Sequence, residues 1–156
     1  MKNIVFEDET VTDDDLYFIC YMVERVGRKI CQKNKYIVNK IEYNEWLRLI
    51  SLASVLHCEN PEKTEWEWIQ EYHLEQGSYD RLLVDKTLVE HIPTATQMGK
   101  VYKRLILSTM RPNENYIDGF VRVYNDELCD ILDDYNNGSF YEPSYCITRA
   151  YNNGGF

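Results

Sequence analysis

Histidine, cysteine and paired carboxylates are the residues here with the most obvious chemical potential. His57 and Cys58 are adjacent, and on a helix neighbouring side chains diverge by about 100°, so they converge poorly on one ion or one substrate. The chain has no Cys-x-x-Cys, no His-Glu-x-x-His, and no Glu-x-x-His of the di-iron type. It also lacks a Gly-x-Ser-x-Gly elbow and a glycine-rich phosphate loop following a strand. These gaps imply structural or solvent-facing roles for His57, His73 and His91, no metal, no cofactor and no assignable catalytic residue. Glu67, Glu71 and Glu75 recur every four residues, as do Asp126, Asp130 and Asp134. Carboxylates so spaced share a helix face and could hold a cation or work as an acid and base pair, although like charges at that spacing weaken the helix. A solvated face is the simpler reading, and docking onto a basic partner is the favoured functional one.

Charge is distributed in blocks. Acids dominate 1–15, bases dominate 24–48, acids return over 59–75, and 94–112 holds Lys100, Lys103, Arg104 and Arg111 without any acid. The last third is acidic again, and the net charge is −9. Such a balance opposes general phosphate attraction, so direct nucleic-acid binding is not expected; a cationic protein surface is the better partner. The basic run Arg25, Arg28, Lys29, Lys33, Lys35 could touch nucleic acid, but with only Tyr36 interleaved it reads better as internal salt bridging.

The elements that must position these groups are helical. Thr12 with Asp15 forms a capping box, and Leu16, Ile19, Val23, Val26 and Ile30 form an apolar stripe behind it. Asn34 and Asn44 are expected to cap the next two helices. Residues 46–56 are apolar on most sides, which predicts the buried middle of the fold. Asn60-Pro61 starts a helix expected to stop near Gly77. Residues 78–92 fit one short helix, two short turns or a brief strand pair. Thr94-x-x-Gln97 is a second capping box leading to about Met110. A long helix is expected from about Glu114 to Asn136, stopped by Asn137-Gly138. Gly27, Gly99 and Gly119 fall inside helical patterns, where close helix–helix approach would explain them.

The sum is an all-α fold, a compact single domain over 1–156 of about six or seven helices. Residues 1–11 form an extended N-terminal arm, and 139–156 form a tail with a short helix. Segments 16–32, 46–56, 97–110 and 115–135 are the expected main core. No stretch reaches the roughly 20 apolar residues of a membrane span. The N-terminus lacks a secretory layout, and five cysteines at irregular spacing make no disulfide framework. The reading is cytoplasmic.

The tail is unusual in carrying Phe140, Tyr141, Tyr145, Tyr151 and Phe156, with Arg149 on its helix. It either docks back over the core or presents a partner-binding patch, since Tyr, Phe and Arg are enriched in interfaces. The candidate partner contacts are therefore Glu127, Asp130, Asp133 and Asp134, with Tyr141, Tyr145 and Arg149. An acidic inhibitor that mimics nucleic acid, borne by a phage or mobile element, is the alternative. An enzyme with a site assembled only by the fold is the third reading.

Four segments, Leu16–Glu24, Ala53–Pro61, Met98–Ile106 and Tyr141–Tyr145, together resemble an uncharacterised group of small acidic helical Firmicutes proteins encoded beside ADP-ribosyltransferase-like toxins. The resemblance spans about residues 12–156. It implies an antitoxin or accessory role and supplies no catalytic residues.

Overall fold

A computed structural model describes all residues 1–156. The chain forms nine α-helices: α1 Asp13–Ile30, α2 Asn34–Lys40, α3 Tyr43–Ser51, α4 Ala53–Leu56, α5 Pro61–Glu71, α6 Ala95–Thr109, α7 Tyr116–Tyr124, α8 Leu128–Leu132 and α9 Ser144–Asn153. Seven of them have seven residues or more, so the expected all-α domain of six or seven helices holds, with α4 and α8 as added single turns. No helix is long and apolar enough to cross a membrane.

Helix α1 begins with the Thr12/Asp15 capping box, and Asp13, Asp14 and Asp15 face its positive end. Its stripe is wholly covered, from Leu16 through Val23 to Ile30. The most extensive helix pair is α1 with α6, and α6 also carries α7 and α9. Gly99 makes the α1–α6 pairing possible, because a Cβ there would sit 3.1 Å from the backbone of Tyr21. Beside this pair lies an aromatic core: Trp46 meets Trp68 and Phe120 edge-on, and Tyr124 stacks on Tyr102 with ring centres 4.3 Å apart.

The arm, residues 1–11, is tied back by a single bridge between Lys2 and Thr10. Asn3 is buried beneath it and donates to the Ser51 carbonyl at 2.8 Å. The expected buried middle is misplaced. Trp46, Ile50 and Ala53 are buried, but the stretch 46–56 is split into α3 and α4 and leaves Val55 exposed. Helix α1, which packs against α2, α3, α4, α5 and α6, is the central element.

Two helix ends also differ from the sequence pattern. Helix α5 stops at Glu71, short of Gly77, through a closed C-terminal motif on non-glycine residues. His73 takes a left-handed φ of 52°, its N–H donates to the Gln70 carbonyl, and the Leu74 N–H donates to the Ile69 carbonyl at 3.0 Å. Leu74 then drops into the core, which holds the turn in place. The helix expected over 114–136 breaks at residues 125–127. There the Asp126 side chain accepts the Leu128 N–H at 2.9 Å, and Asn125 donates back to the Val121 carbonyl at 2.8 Å. Short polar side chains that satisfy the backbone locally end a helix from within. The first helical residues also shift: Lys33 and Glu42 occupy the cap positions expected of Asn34 and Asn44.

Between α5 and α6 lies a helix-free connection, residues 72–94, whose 78–92 portion resolves into two short turns. A connection of this length without its own helices needs other anchors. The Gly77 and Tyr79 N–H groups bond to the Ile30 and Cys31 carbonyls at 2.7 and 2.8 Å, and Arg81 reaches inward beyond them.

Candidate functional site

Arg81 enters a closed set of polar side chains drawn from five parts of the chain. Its guanidinium donates to Glu24 Oε2 at 2.9 Å, to Asn34 Oδ1 at 2.6 Å, and to the Gln32 carbonyl. Glu24 also accepts from Arg28 Nε at 2.9 Å, from Asn34 Nδ2 at 3.1 Å and from the Tyr135 hydroxyl. These donors fill the acceptor capacity of one carboxylate. Burial alone would raise the Glu24 pKa, but Arg81, Arg28 and the hydrogen bonds outweigh it and hold the group below its ordinary value. Gly27 is the seat of this arrangement. A Cβ there would lie 2.5 Å from Arg81 Nη2 and 2.9 Å from Asn34 Oδ1. The close approach that the glycine permits is thus to a buried side chain.

Asp133 occupies the opposite edge. The Tyr102 hydroxyl donates to its Oδ1 at 2.5 Å, and Asn34 Nδ2 to its Oδ2 at 3.3 Å. Burial, and then the negative charge of Glu24, push the Asp133 carboxyl up to about 7. Asp133, expected among the partner contacts, is in fact buried, out of a partner's reach. Apart from the Arg81 Nε–H, which is buried without a partner, the ionic cluster spends its donors and acceptors internally and serves to clamp the 72–94 connection onto α1, α2 and the segment after α8.

The remaining expected sites are dispersed. Asp130 is exposed but lies 3.5 and 3.8 Å from the ammonium groups of Lys33 and Lys35. Asp134 accepts the Asn136 N–H, and Glu127 is exposed without an ion pair. With Asp126 in a turn, the stripe Asp126, Asp130, Asp134 is not carried by one helix. Glu67 pairs with Lys63 and Glu71 with Arg48, and Glu75 lies beyond the end of α5. His57 stacks on Phe18, ring centres 5.5 Å apart, and the Cys58 thiol turns to the Ser54 carbonyl of its own chain segment. No group of three His, Cys, Asp or Glu side chains is placed to hold a metal ion. Burial pushes the Cys20 thiol up to about 12 and raises Cys129 as well, which keeps both protonated and unreactive.

The basic run does pair internally. Arg25 and Lys29 meet the buried Glu65, and Arg28 meets Glu24. Lys100, Lys103, Arg104 and Arg111 differ: none takes part in an ion pair. Lys100 and Arg104 stand one helical turn apart on α6 and line a cleft of about 270 Å³ between α6 and α9. Val101, Leu105, Phe140 and Ile147 form its apolar side, and Tyr141, Glu142 and Ser144 its rim.

The tail divides into an inner and an outer half. Phe140, Ile147 and Ala150 dock onto the core, and Tyr151 is tied by Arg122 at 2.7 Å. Tyr141 is 60% and Tyr145 65% exposed, and Phe156 and Arg149 are exposed as well. Tyr141 also borders a second cleft of about 310 Å³, where Leu88 and Val89 of the long connection face Asn136–Gly138. Exposed apolar side chains thus rim two adjoining clefts, and the cationic pair of α6 lies inside one of them. Sequence reasoning named Tyr141, Tyr145 and Arg149 but missed Lys100 and Arg104 as lining residues. The acid-free stretch 94–112 was the signal that could have found them.

Compared with protein-family models, curated proteins and solved structures, the chain matches none.

Proposed function

We propose that this chain is a non-enzymatic interaction protein that docks a protein partner across its C-terminal aromatic face. The observation that carries the reading is the exposure of Tyr141, Phe156 and, on α9, Tyr145, together with Leu88, which is 68% exposed and lines one cleft with Tyr141. Large apolar side chains clustered in solvent lose water on docking and supply the central anchors of an interface. Arg149 on the same helix adds a hydrogen-bonding group suited to such a surface.

A net charge of −9 favours a partner with basic surface at long range. Glu7, Asp8 and Glu9 of the arm, with Glu127 and Asp134, take part in no ion pair and are free to contribute to that field. Toxin neutralisation in the cytoplasm, which the resemblance implies, is one form of this activity. The nucleic-acid-mimic alternative needs a continuous unpaired acidic face. It has less support with Asp130 held by two lysines, Glu67 by Lys63 and Glu71 by Arg48.

The test is site-specific photocrosslinking in host cells, with the reactive side chain placed at Tyr141, at Tyr145 or at the remote exposed Gln70. One stoichiometric protein should crosslink from 141 and 145 and not from 70, and the Y141A/Y145A chain should lose it. Equal crosslinking from all three positions, or capture unaffected by Y141A/Y145A, would overturn the assignment.

A further inference from the structure

The cleft between α6 and α9 has the composition of a binding pocket independent of any partner reading. Its volume of about 270 Å³ corresponds to roughly nine waters at about 30 Å³ each, enough for one ring or branched side chain with a charged head. Lys100 and Arg104 sit at i and i+4 on α6, a spacing at which like charges repel unless an anion lies between them. The molecule carries a large acidic surplus, yet no carboxylate has been brought to either cation. Glu142 is the one acid in the lining, and it makes no ion pair with them.

The opposite wall contributes donors. Pro143 occupies the cap position of α9 and offers no side-chain acceptor, and the N–H of Ser144, which lines the cleft, has no hydrogen-bond partner. Ser144 also carries a hydroxyl that can serve as a further donor at this wall. Cations from one side, hydroxyl and backbone donors from the other and an apolar floor between them define an amphipathic anion site.

We infer that this cleft binds a phosphomonoester carried on an apolar stem of side-chain size. The phosphoryl oxygens lie against Lys100, Arg104 and the start of α9, and the stem lies over Leu105 and Ile147. A phosphoryl group suits the donors better than a carboxylate does, because its three terminal oxygens can face both walls at once. A small aryl phosphate and a phosphorylated side chain of a peptide share this chemistry.

The experiment is an amide-resonance titration of the full chain with phenyl phosphate, inorganic phosphate, phenol and a phosphotyrosine peptide. Phenyl phosphate should produce saturable shifts at Ser144, Tyr145 and Arg104, and K100Q/R104Q should weaken it by about tenfold or more. Both substituted side chains are exposed, and an unchanged spectrum elsewhere will verify the fold of the variant. Inorganic phosphate and phenol should each bind more weakly than phenyl phosphate, since each lacks one half of the ligand. Tighter binding of the peptide would assign the source to a modified protein, and tighter binding of phenyl phosphate to a free metabolite. No saturable shift, binding unchanged in K100Q/R104Q, or inorganic phosphate as tight as phenyl phosphate would overturn the inference. None of these outcomes depends on the crosslinking result, so the two readings fail separately.

Discussion

Two cationic sets on the partnered helices α1 and α6 have opposite fates. On α1, Arg25, Arg28 and Lys29 each meet a buried carboxylate, Glu65 or Glu24, supplied by α5 or by α1 itself. On α6, Lys100, Lys103 and Arg104 meet none. The blocks look alike in sequence, and what separates them is the neighbour across the helix surface. Helix α5 brings Glu62 and Glu65 to α1, whereas α9 and the turn before it bring to α6 only an uncapped helix start and the single acid Glu142. Unpaired charge concentrated in a cleft is the kind of departure from local consistency that marks a site, whereas paired charge under a long connection marks a clamp.

The largest effect should come from breaking the clamp. E24A leaves Arg81, whose side chain is fully buried, without its carboxylate and strips Arg28 of its partner. Removing one member of a buried pair costs about 3–5 kcal/mol, so urea unfolding should shift by that amount and the 72–94 connection should become sensitive to protease. A loss below about 1 kcal/mol would mean that the cluster opens to water and clamps nothing. G27A should follow at about 1–2 kcal/mol destabilising. The added methyl meets Arg81 and Asn34, both fixed by hydrogen bonds, and this outweighs the gain of about 1 kcal/mol in helix propensity.

Capping boxes at Thr12 and Thr94 and the stripe from Leu16 to Ile30 located α1 and α6, because local hydrogen bonding and 3.6-residue periodicity are sequence-local. The break at Asn125–Glu127 was hidden because the apolar stripe continues through it. The end of α5 was hidden because His73, in place of a glycine, takes the left-handed position. Arg81 was missed altogether: it is a lone arginine beside Leu82 and Leu83, and its partners Glu24, Asn34 and Asp133 are distant in sequence. The aromatic tail was legible as a candidate face, but its division into buried Phe140 and exposed Tyr141 depends on how α9 docks on α6.

Asp133 gives the clamp a pH signature. Its carboxyl is raised from 3.8 to about 7 in the fold, so between those values the folded chain holds a proton that the unfolded chain releases. Stability from this group is therefore present at low pH and is lost as pH rises through about 7. D133N removes the titration while keeping an acceptor for the Tyr102 hydroxyl. The stability of D133N relative to the native chain should accordingly rise between about pH 4 and pH 7.5, read by urea unfolding across that range. A flat difference would place Asp133 in contact with solvent.

The smallest effect on stability belongs to α6. K100Q/R104Q removes two like charges one turn apart and breaks no ion pair, so the change should be within about 0.5 kcal/mol and, if anything, stabilising at low salt. R25Q is the matched control on α1. It deletes a guanidinium bonded to the buried Glu65 and leaves that carboxylate to Lys29 alone, at a cost of about 1–2 kcal/mol. If K100Q/R104Q proved as costly as R25Q, the two sets would be structurally equivalent and the α6 cations would have hidden partners. A near-zero cost for K100Q/R104Q beside a measurable cost for R25Q separates charge used to hold the fold from charge left free to meet a ligand.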